Sequence, residues 1–181
     1  ISMVHRSGIC VFGKKVLVLG SGGTSNTAVN ALNDLGADVV VISRSGENNY
    51  GNIAKHKDTR AIVNCTPVGM YPNNGQSPMD IRMFPELEGV LDVIYNPSKT
   101  QLLIQAEKLG LPHENGLWML VAQAKEAAEW FTGEKIPDSQ IDFIYQSLNS
   151  RMRNLILIGM PGCGKSTIGQ QLALRPNKKF V

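Results

Sequence analysis

The sequence predicts an α/β protein built on a doubly wound, parallel β-sheet. Short apolar runs rich in β-branched residues alternate along the chain with segments of helical periodicity. Two of these runs lead directly into glycine loops, at Gly20 and at Gly159. Strands that alternate with helices pair in parallel through right-handed crossovers, so the fold class follows from this order.

The first 133 residues account for most of the predicted elements. Strands are expected at residues 16–19, 39–42, 61–63 and 90–94, because runs that are almost wholly apolar are typical of strands buried on both faces. Helices are expected at residues 24–35, 100–109 and 117–131, where apolar residues recur three and four apart and a glycine follows closely. Residues 46–60 are poor in apolar side chains, so the structure of the second crossover stays open.

A polar connector follows Gly133, and a further helix and strand are expected after it. Pro137 and Asp138 suit the start of a further helix, with an apolar face formed by Ile141, Ile144, Tyr145 and Leu148. A basic linker at residues 151–153 precedes a predicted strand at residues 155–158. We therefore expect one domain over residues 1–150 and the start of a second over residues 151–181. The sequence begins without a methionine and its last motif does not finish, so we expect a piece of a longer protein.

Composition excludes several classes of protein. Hydrophobic residues make up 43% and charged residues 18%, as in globular proteins, and the scattered basic residues give a net charge of only +3. That pattern argues against nucleic-acid binding. No apolar run reaches the roughly 18 residues of a membrane span, and no signal peptide opens the chain. Cys10, Cys65 and Cys163 show no paired or metal-ligand spacing, so we expect reduced thiols and a cytoplasmic location. The oligomeric state stays open.

The first glycine loop predicts a dinucleotide site. The segment Gly20-Ser21-Gly22-Gly23 lies between a predicted strand and a predicted helix, and Ser25 takes the place of the usual third glycine. Gly20 permits a tight turn, Gly22 permits close approach of a pyrophosphate, and the helix start offers free N–H groups. The predicted contacts are Gly20, Ser21, Gly22, Gly23 and Thr24. A strand–turn–helix without a ligand is the alternative.

The end of the second strand predicts which dinucleotide binds. An NAD site places Asp or Glu there, whereas this sequence has Ser43-Arg44-Ser45. A carboxylate would repel a 2′-phosphate, but a guanidinium can bond it with charge assistance. Arg44, with Ser43 and Ser45, therefore favours NADP. A solvated surface arginine is the alternative, and Glu47 lies nearby in the sequence.

Four segments in this order resemble the C-terminal, NADP-binding domain of shikimate dehydrogenases. They are the loop at Gly20, Asn64-Cys65-Thr66-Pro67-Val68-Gly69-Met70, Asp92-Val93-Ile94-Tyr95-Asn96-Pro97, and residues 114–124 with Asn115-Gly116-Leu117-Trp118. The resemblance covers residues 1–133 and implies a Rossmann-type fold. It departs from the family where Asn-Arg-Thr is replaced by Ser-Arg-Ser, and where Trp118 stands at an often-glycine position.

The resemblance implies roles for further residues. Asn64, Thr66 and Gly69 would shape the adenosine and pyrophosphate side, and Ile94 would lie against the nicotinamide. Gly116 and Met119 would form the nicotinamide-ribose wall, and Tyr95 and Gln123 would reach the substrate. Each has a simpler alternative: Asn64 as a turn former, Met119 as core filler, Tyr95 as a strand-end aromatic and Gln123 as a surface amide.

The resemblance also implies an activity in the shikimate pathway of aromatic amino acid biosynthesis. Shikimate dehydrogenases reduce the 3-keto group of 3-dehydroshikimate with NADPH, and a lysine–aspartate pair in a preceding domain handles the proton. No segment of this sequence matches that pair, so no catalytic residue is assigned. We expect NADP(H) binding with negligible turnover of shikimate, and the choice between shikimate and quinate stays open.

The second glycine loop matches a phosphate-binding P-loop. Residues 159–166, Gly159-Met160-Pro161-Gly162-Cys163-Gly164-Lys165-Ser166, fit G-x-x-x-x-G-K-[ST] between a predicted strand and a helix-prone segment, giving a truncated P-loop strand–loop–helix unit. Lys165 would reach the β- and γ-phosphates of ATP, and Ser166 would hold Mg²⁺. The expected phosphate contacts are Gly162, Gly164, Lys165, Ser166 and Thr167. Residues 158–169 resemble the start of shikimate kinases, so a bifunctional dehydrogenase–kinase is expected, and an ATP-binding kinase module is the alternative function. ATP and Mg²⁺ binding would require the remainder of a kinase.

Overall fold

The computed structural model describes residues 1–174, and the chain divides into two compact units. The first unit comprises Ile1–Ile136 and the second begins at Pro137. This division lies earlier than the domain boundary predicted at residue 150, because the helix that follows Pro137 groups with the second unit.

A five-stranded parallel sheet forms the first unit. Its strands are β1 (Lys15–Leu19), β2 (Asp38–Ile42), β3 (Ala61–Asn64), β4 (Gly89–Asp92) and β5 (His113–Glu114). They are ordered β2-β1-β3-β4-β5, and every neighbouring pair is parallel. The predicted Rossmann-type, doubly wound α/β fold is confirmed. The fourth strand ends at Asp92, so Val93 and Ile94, which were predicted in it, belong to the loop that follows.

Helices cover both faces of this sheet. The first unit contains α1 (Ser2–Ser7), α2 (Gly23–Asp34), α3 (Gln101–Lys108) and α4 (Leu117–Thr132), together with short 3₁₀ turns at Ile53–His56 and Ile81–Met83. The crossover from β2 to β3 contains the 3₁₀ turn at Ile53–His56 and few apolar residues between positions 46 and 60.

Alternate residues of the strands divide between two hydrophobic cores. Leu17 and Leu19 of β1 belong to one cluster, which α3 covers with Leu102, Leu103 and Ala106. Val16 and Val18 belong to the other cluster, which includes residues of α1 and α2. Successive side chains of a strand point to opposite faces, so a strand that is apolar at every position fills both cores.

The second unit differs from its prediction. It contains α5 (Ser139–Met152) and α6 (Lys165–Leu174), but residues 155–158 form no strand. Ile156 is 81% exposed and Ile158 is 92% exposed. A parallel strand needs neighbouring strands to receive its backbone hydrogen bonds, and none of the described strands pairs with this segment. The predicted strand is therefore wrong for the described chain, whereas the loop and the helix after it are present.

Within residues 1–174, we find no helix with the combination of length and apolar character that crossing a bilayer requires.

Candidate functional site

The carboxyl ends of the four longer strands are level with one another. Leu19 pairs with Ile42 on one side and with Asn64 on the other, and Asn64 pairs with Asp92. The loops that leave these strands therefore start at one edge of the sheet. The strand order reverses between β1 and β3, and ligands of open α/β sheets bind in the crevice at such a reversal.

Gly20 forms the tight turn at this crevice. Its φ angle is +108°, and its backbone N–H donates to the carbonyl oxygen of Ile42 at 2.8 Å. A Cβ atom at this position would lie 3.2 Å from Cγ2 of Thr66 and 3.3 Å from the carbonyl oxygen of Cys65. Glycine is needed here because the loops after β1 and β3 are in contact, and because a positive φ strains other residues.

Ser25, in the first turn of α2, stabilises this turn. It is 1% exposed, and its hydroxyl donates a hydrogen bond to the carbonyl oxygen of Gly20. The residue that replaces the third glycine of the usual motif thus fixes the loop as well as permitting close packing.

The first turn of α2 is open to an anion. The helix begins at Gly23, and no side chain of residues 1–174 caps its free N–H groups. Residues 21–24 are exposed, and no atom lies within 4 Å of a Cβ built on Gly22 or Gly23. Free N–H groups and the positive end of the helix dipole suit a pyrophosphate.

Arg44 lies just beyond the end of β2. Ile42 is buried, Ser43 is half-buried, and Arg44 and Ser45 are exposed. Arg44 takes part in none of the ion pairs found among residues 1–174. Burial raises the pKa of the Tyr50 hydroxyl, and the positive charge of Arg44 opposes that rise.

Asn64 organises the loop after β3. It is fully buried, and its Nδ2 donates to Oδ1 of Asp92 at 3.0 Å. Its Oδ1 accepts hydrogen bonds from the backbone N–H of Thr66 at 3.0 Å and from the Thr66 hydroxyl at 2.7 Å. The side chain is a turn former, as the simpler alternative proposed, and it acts on the crevice through Thr66.

Asp92 was not predicted as a site residue. It is fully buried, and its Oδ1 also accepts from the backbone N–H of Ile94 at 3.1 Å. Its Oδ2 accepts from the hydroxyl of Thr100, the N-cap of α3, at 2.6 Å. Burial raises the pKa of this carboxyl to about 6, although these hydrogen bonds oppose the rise. The available signal was a lone carboxylate inside the apolar run of residues 90–94.

Two predicted glycines prove to be packing positions. A Cβ atom on Gly69, whose φ is +91°, would lie 2.7 Å from the carbonyl oxygen of Gln76. A Cβ atom on Gly116 would lie 1.9 Å from the carbonyl oxygen of Val93. Gly116 also donates its N–H to the carbonyl oxygen of Ile94 at 3.1 Å, so the start of α4 is joined to the loop after β4.

The remaining predicted residues of the first unit differ in exposure. Ile94 is buried, and Met119 is partly buried against the core cluster that contains Val16 and Val18. Tyr95 is 44% exposed, and Gln123 is exposed on α4, with no hydrogen bond from its side chain to any of residues 1–174. Part of the Met119 side chain thus packs in the core, as the simpler alternative proposed. Tyr95 and Gln123 are accessible to a ligand.

The second glycine loop lies between the segment 155–158 and α6. Gly162 and Gly164 both have φ of +79°, and α6 begins at Lys165. Nζ of Lys165 donates to the carbonyl oxygens of Gly159 at 2.9 Å and Met160 at 2.6 Å. Ser166 and Thr167 are exposed. In the part of the chain that the structure describes, no three His, Cys, Asp or Glu residues cluster as metal ligands.

Comparisons with known sequences point to one group of enzymes. No protein-family model matches the chain. A shikimate dehydrogenase (NADP(+)) of Clostridium perfringens is 31% identical over 163 residues, which cover 82% of this chain and 60% of that protein. A shikimate dehydrogenase (NADP(+)) of Caldicellulosiruptor bescii is 37% identical over 169 residues, covering 81% of this chain and 57% of that protein. The chain thus spans about three fifths of the length of these relatives.

Solved structures agree with the sequence relatives. A chorismate mutase/shikimate 5-dehydrogenase fusion protein from Clostridium acetobutylicum superposes with a TM-score of 0.79 at 31% identity, covering 84% of this chain and 60% of that one. Shikimate 5-dehydrogenase of Thermus thermophilus, in complex with NADP(H) and shikimate, superposes with a TM-score of 0.69 at 28% identity, covering 80% of this chain and 59% of that one.

These comparisons confirm the predicted homology to shikimate dehydrogenases and favour it over the kinase alternative. The relatives are NADP-dependent oxidoreductases by name. The resemblance of residues 158–169 to shikimate kinases, and a fusion of the two enzymes, stay predictions.

Proposed function

We propose that the first unit is the NADP(H)-binding part of a shikimate dehydrogenase, the enzyme that interconverts 3-dehydroshikimate and shikimate. The observation that carries this proposal is the crevice between β1 and β3. An uncapped helix start and an exposed arginine without an ion pair flank it, in a chain homologous to NADP-dependent shikimate dehydrogenases.

The loop after β1 would hold the cofactor pyrophosphate. Gly22 and Gly23 leave open space above the first turn of α2, and the N–H groups there have no capping side chain. Ser21 and Thr24 are exposed beside them and can add hydroxyl donors. Gly20 and Ser25 would keep this loop in place whether or not a cofactor is present.

Arg44 would select NADP over NAD. Its guanidinium can donate charge-assisted hydrogen bonds to a 2′-phosphate, each contributing about 1.5–3 kcal/mol. Ser43 and Ser45 would add hydroxyl contacts on either side. An NAD site would instead carry a carboxylate at this strand end, and a carboxylate would repel the phosphate.

The loops after β3 and β4 and the start of α4 would bind the other half of the cofactor and the substrate. Thr66 and Gly69 would shape the loop after β3, with Asn64 acting through Thr66. Ile94, Gly116 and Met119 would form the apolar wall for the nicotinamide, which supplies the hydride when bound. The exposed side chains of Tyr95 and Gln123 would then face the hydroxyl-rich substrate.

The groups that transfer the proton would lie outside the region that this chain shares with its relatives. The resemblance places the lysine–aspartate pair of shikimate dehydrogenases in a preceding domain, and this chain matches only about three fifths of its relatives. A positioned proton donor contributes about 10²–10⁴ in rate. For the matched residues of this chain, the proposed role is therefore the binding of NADP(H).

Cofactor titrations test the proposal. The dissociation constants of NADPH and NADH are measured for the wild type, Arg44→Ala and Arg44→Glu, with Arg82→Ala as a matched control that removes an exposed arginine elsewhere. We expect Arg44→Ala to weaken NADPH binding about 10- to 100-fold, Arg44→Glu to weaken it further, and neither to weaken NADH binding. Equal affinity for NADH and NADPH in the wild type, or unchanged NADPH binding by Arg44→Glu, would contradict the proposal.

A second candidate function rests on the loop at residues 159–166. The positive φ angles of Gly162 and Gly164 and the helix start at Lys165 suit a phosphate of ATP, with Lys165 turning toward it and Ser166 holding Mg²⁺. Thermal shifts with ATP·Mg²⁺ and with NADPH separate the two candidates. We expect NADPH to stabilise the chain and ATP to have little effect. A clear stabilisation by ATP that Lys165→Ala abolishes would instead support a kinase module.

A further inference from the structure

The carboxylate of Asp92 connects three structural elements that border the crevice. Asp92 is the last residue of β4, and it accepts hydrogen bonds from Asn64 at the end of β3, from the backbone of Ile94, and from Thr100 at the start of α3. The donor–acceptor distances are 3.0, 3.1 and 2.6 Å. All three groups donate, so the carboxylate accepts at both oxygens.

Two chains of hydrogen bonds lead from Asp92 to the two halves of the crevice. On one side, Asn64 turns its amide oxygen toward Thr66 because its nitrogen donates to Asp92, and Thr66 packs against the turn at Gly20. On the other side, Asp92 holds the N–H of Ile94, whose carbonyl oxygen accepts from Gly116 at the start of α4. A change at Asp92 would therefore reach both the pyrophosphate loop and the nicotinamide wall.

The charge of this group is costly to bury. No charged side chain among the described residues contributes to its pKa, which burial raises to about 6. The groups that face it are the amide of Asn64 and the thiol of Cys65 from the end of β3 and the loop after it, the hydroxyl of Thr100 from α3, and the N–H of Ile94. Fold stability alone does not favour an unpaired buried carboxylate, because a neutral side chain avoids the desolvation penalty.

We propose that Asp92 is a positioning residue of the cofactor crevice, whose ionised carboxylate holds the loops after β3 and β4 in the arrangement that binds NADP. The inference rests on the proposed function. A protonated carboxyl, or an amide in its place, presents a donor where all three neighbours already donate, so at least one of these contacts must be lost or reversed.

The test is the pH dependence of NADP⁺ binding to the whole chain between pH 5 and pH 8. Asp92→Asn is compared with the wild type, and Asp38→Asn, at the opposite end of the sheet, is the matched control. The 2′-phosphate of the ligand also titrates near pH 6. The profile of Asp92→Asn therefore serves as the reference for the ligand's own titration.

We expect Asp92→Asn to bind NADP⁺ about tenfold more weakly than the wild type at pH 7.5 and equally at pH 5. Asp38→Asn should follow the wild type at every pH. If the wild type binds NADP⁺ and Asp92→Asn has the same affinity and pH profile, the positioning role is wrong while the proposed function stands. If the wild type binds no NADP⁺, the proposed function itself fails.

A second variant keeps the proposal testable if Asp92→Asn does not fold. Thr100→Val removes one hydrogen bond to the ionised carboxylate, so the pH at which NADP⁺ affinity rises should move upward. An unchanged midpoint in this variant would overturn the proposal.

Discussion

The α-carbon of Gly116 is so close to Val93 that a Cβ atom there would lie 1.9 Å from the Val93 carbonyl oxygen. The start of α4 therefore touches the loop after β4 directly, with no side chain between them. This contact fixes the position of the first two turns of α4, which carry Met119 and Gln123.

Gly116→Ala should destabilise the first unit strongly. The methyl group must displace backbone rather than a flexible side chain, and overpacking of this kind costs about 1–3 kcal/mol or more. Urea unfolding measures the loss. Gly23→Ala is the matched control, because its Cβ meets open space and alanine favours the helix, so its stability should be unchanged or slightly higher. Equal stabilities of the two variants would contradict the prediction.

Ser25→Ala should loosen the turn at Gly20. The substitution leaves the partly buried carbonyl oxygen of Gly20 without its side-chain donor, which costs about 1–3 kcal/mol. Ser21→Ala, at an exposed position of the same loop, should leave stability within about 0.5 kcal/mol of the wild type. Chemical denaturation of the three proteins checks this difference. If Ser25→Ala matched Ser21→Ala, the hydroxyl would have no structural role.

Asp92 should make the first unit less stable as the pH rises from about 4 to about 6. Its pKa is about 6 in the fold against an ordinary value of 3.8, so the folded state binds the proton more tightly. The stability that this proton contributes is complete below the unfolded pKa and is lost as the pH rises through the folded pKa. The difference corresponds to roughly 3 kcal/mol at most.

The comparison with Asp92→Asn isolates this effect from other carboxylates. Asp80, Asp58 and Glu88 have lowered pKa values from their basic partners, so they add stability as the pH rises. Both proteins share those groups. Between pH 4 and pH 7, we expect the free energy of unfolding of Asp92→Asn to increase relative to that of the wild type. Parallel curves would show that Asp92 has no raised pKa.

Arg6 should couple energetically to Trp118. The guanidinium carbon of Arg6 lies 4.1 Å from the centroid of the Trp118 ring, and its Nε donates to Glu114 at 3.1 Å. Cation–π contacts contribute about 0.5–1 kcal/mol at such partly exposed sites. A double-mutant cycle of Arg6→Ala and Trp118→Leu should return a coupling energy of that size. A coupling energy indistinguishable from zero would show that the ring and the cation are merely adjacent.

Ile156→Lys should leave the stability of the first unit unchanged. The side chain is 81% exposed, so a charge there meets water and reduces the exposed apolar surface of residues 155–158. Binding of a dye that reports apolar surface should fall. Ile62→Lys, at a fully buried position of β3, is the contrasting control and should prevent folding of the first unit. A loss of stability in Ile156→Lys comparable to that control would show that the segment is packed.

Local patterns predicted most of the sheet because β1, β3 and β4 are almost wholly buried on both faces. Val16–Leu19 is apolar at every position, and the structure pairs it with β2 and β3. Residues 155–158 show the same pattern without becoming a strand, because the pattern records the preference for burial and not the presence of a partner. The strand β5 and the helix α1 were missed because His113–Glu114 is short and polar and Ser2–Ser7 has only two buried residues.

The candidate site could be predicted where its residues lie close to one another and to a strand end in the sequence. The turn at Gly20 and the cation at Arg44 each lie within a few residues of a strand end, so the sequence places them. The contact between Asn64 and Asp92 depends on the register of β3 against β4, which joins residues far apart in the chain. No local window contains both residues, and their pairing became visible only in the fold.

Because the strand ends are level, core packing and the lining of the crevice fall to different residues of the chain. The strands pack in the cores up to their last residues, which are Leu19, Ile42, Asn64 and Asp92. The residues that follow each strand line the crevice. On the proposed function, exchanging the short segment after Ile42 should change coenzyme preference and leave the folding scaffold intact. A library restricted to positions 43–45 would sample affinity for NADP and NAD at nearly constant stability.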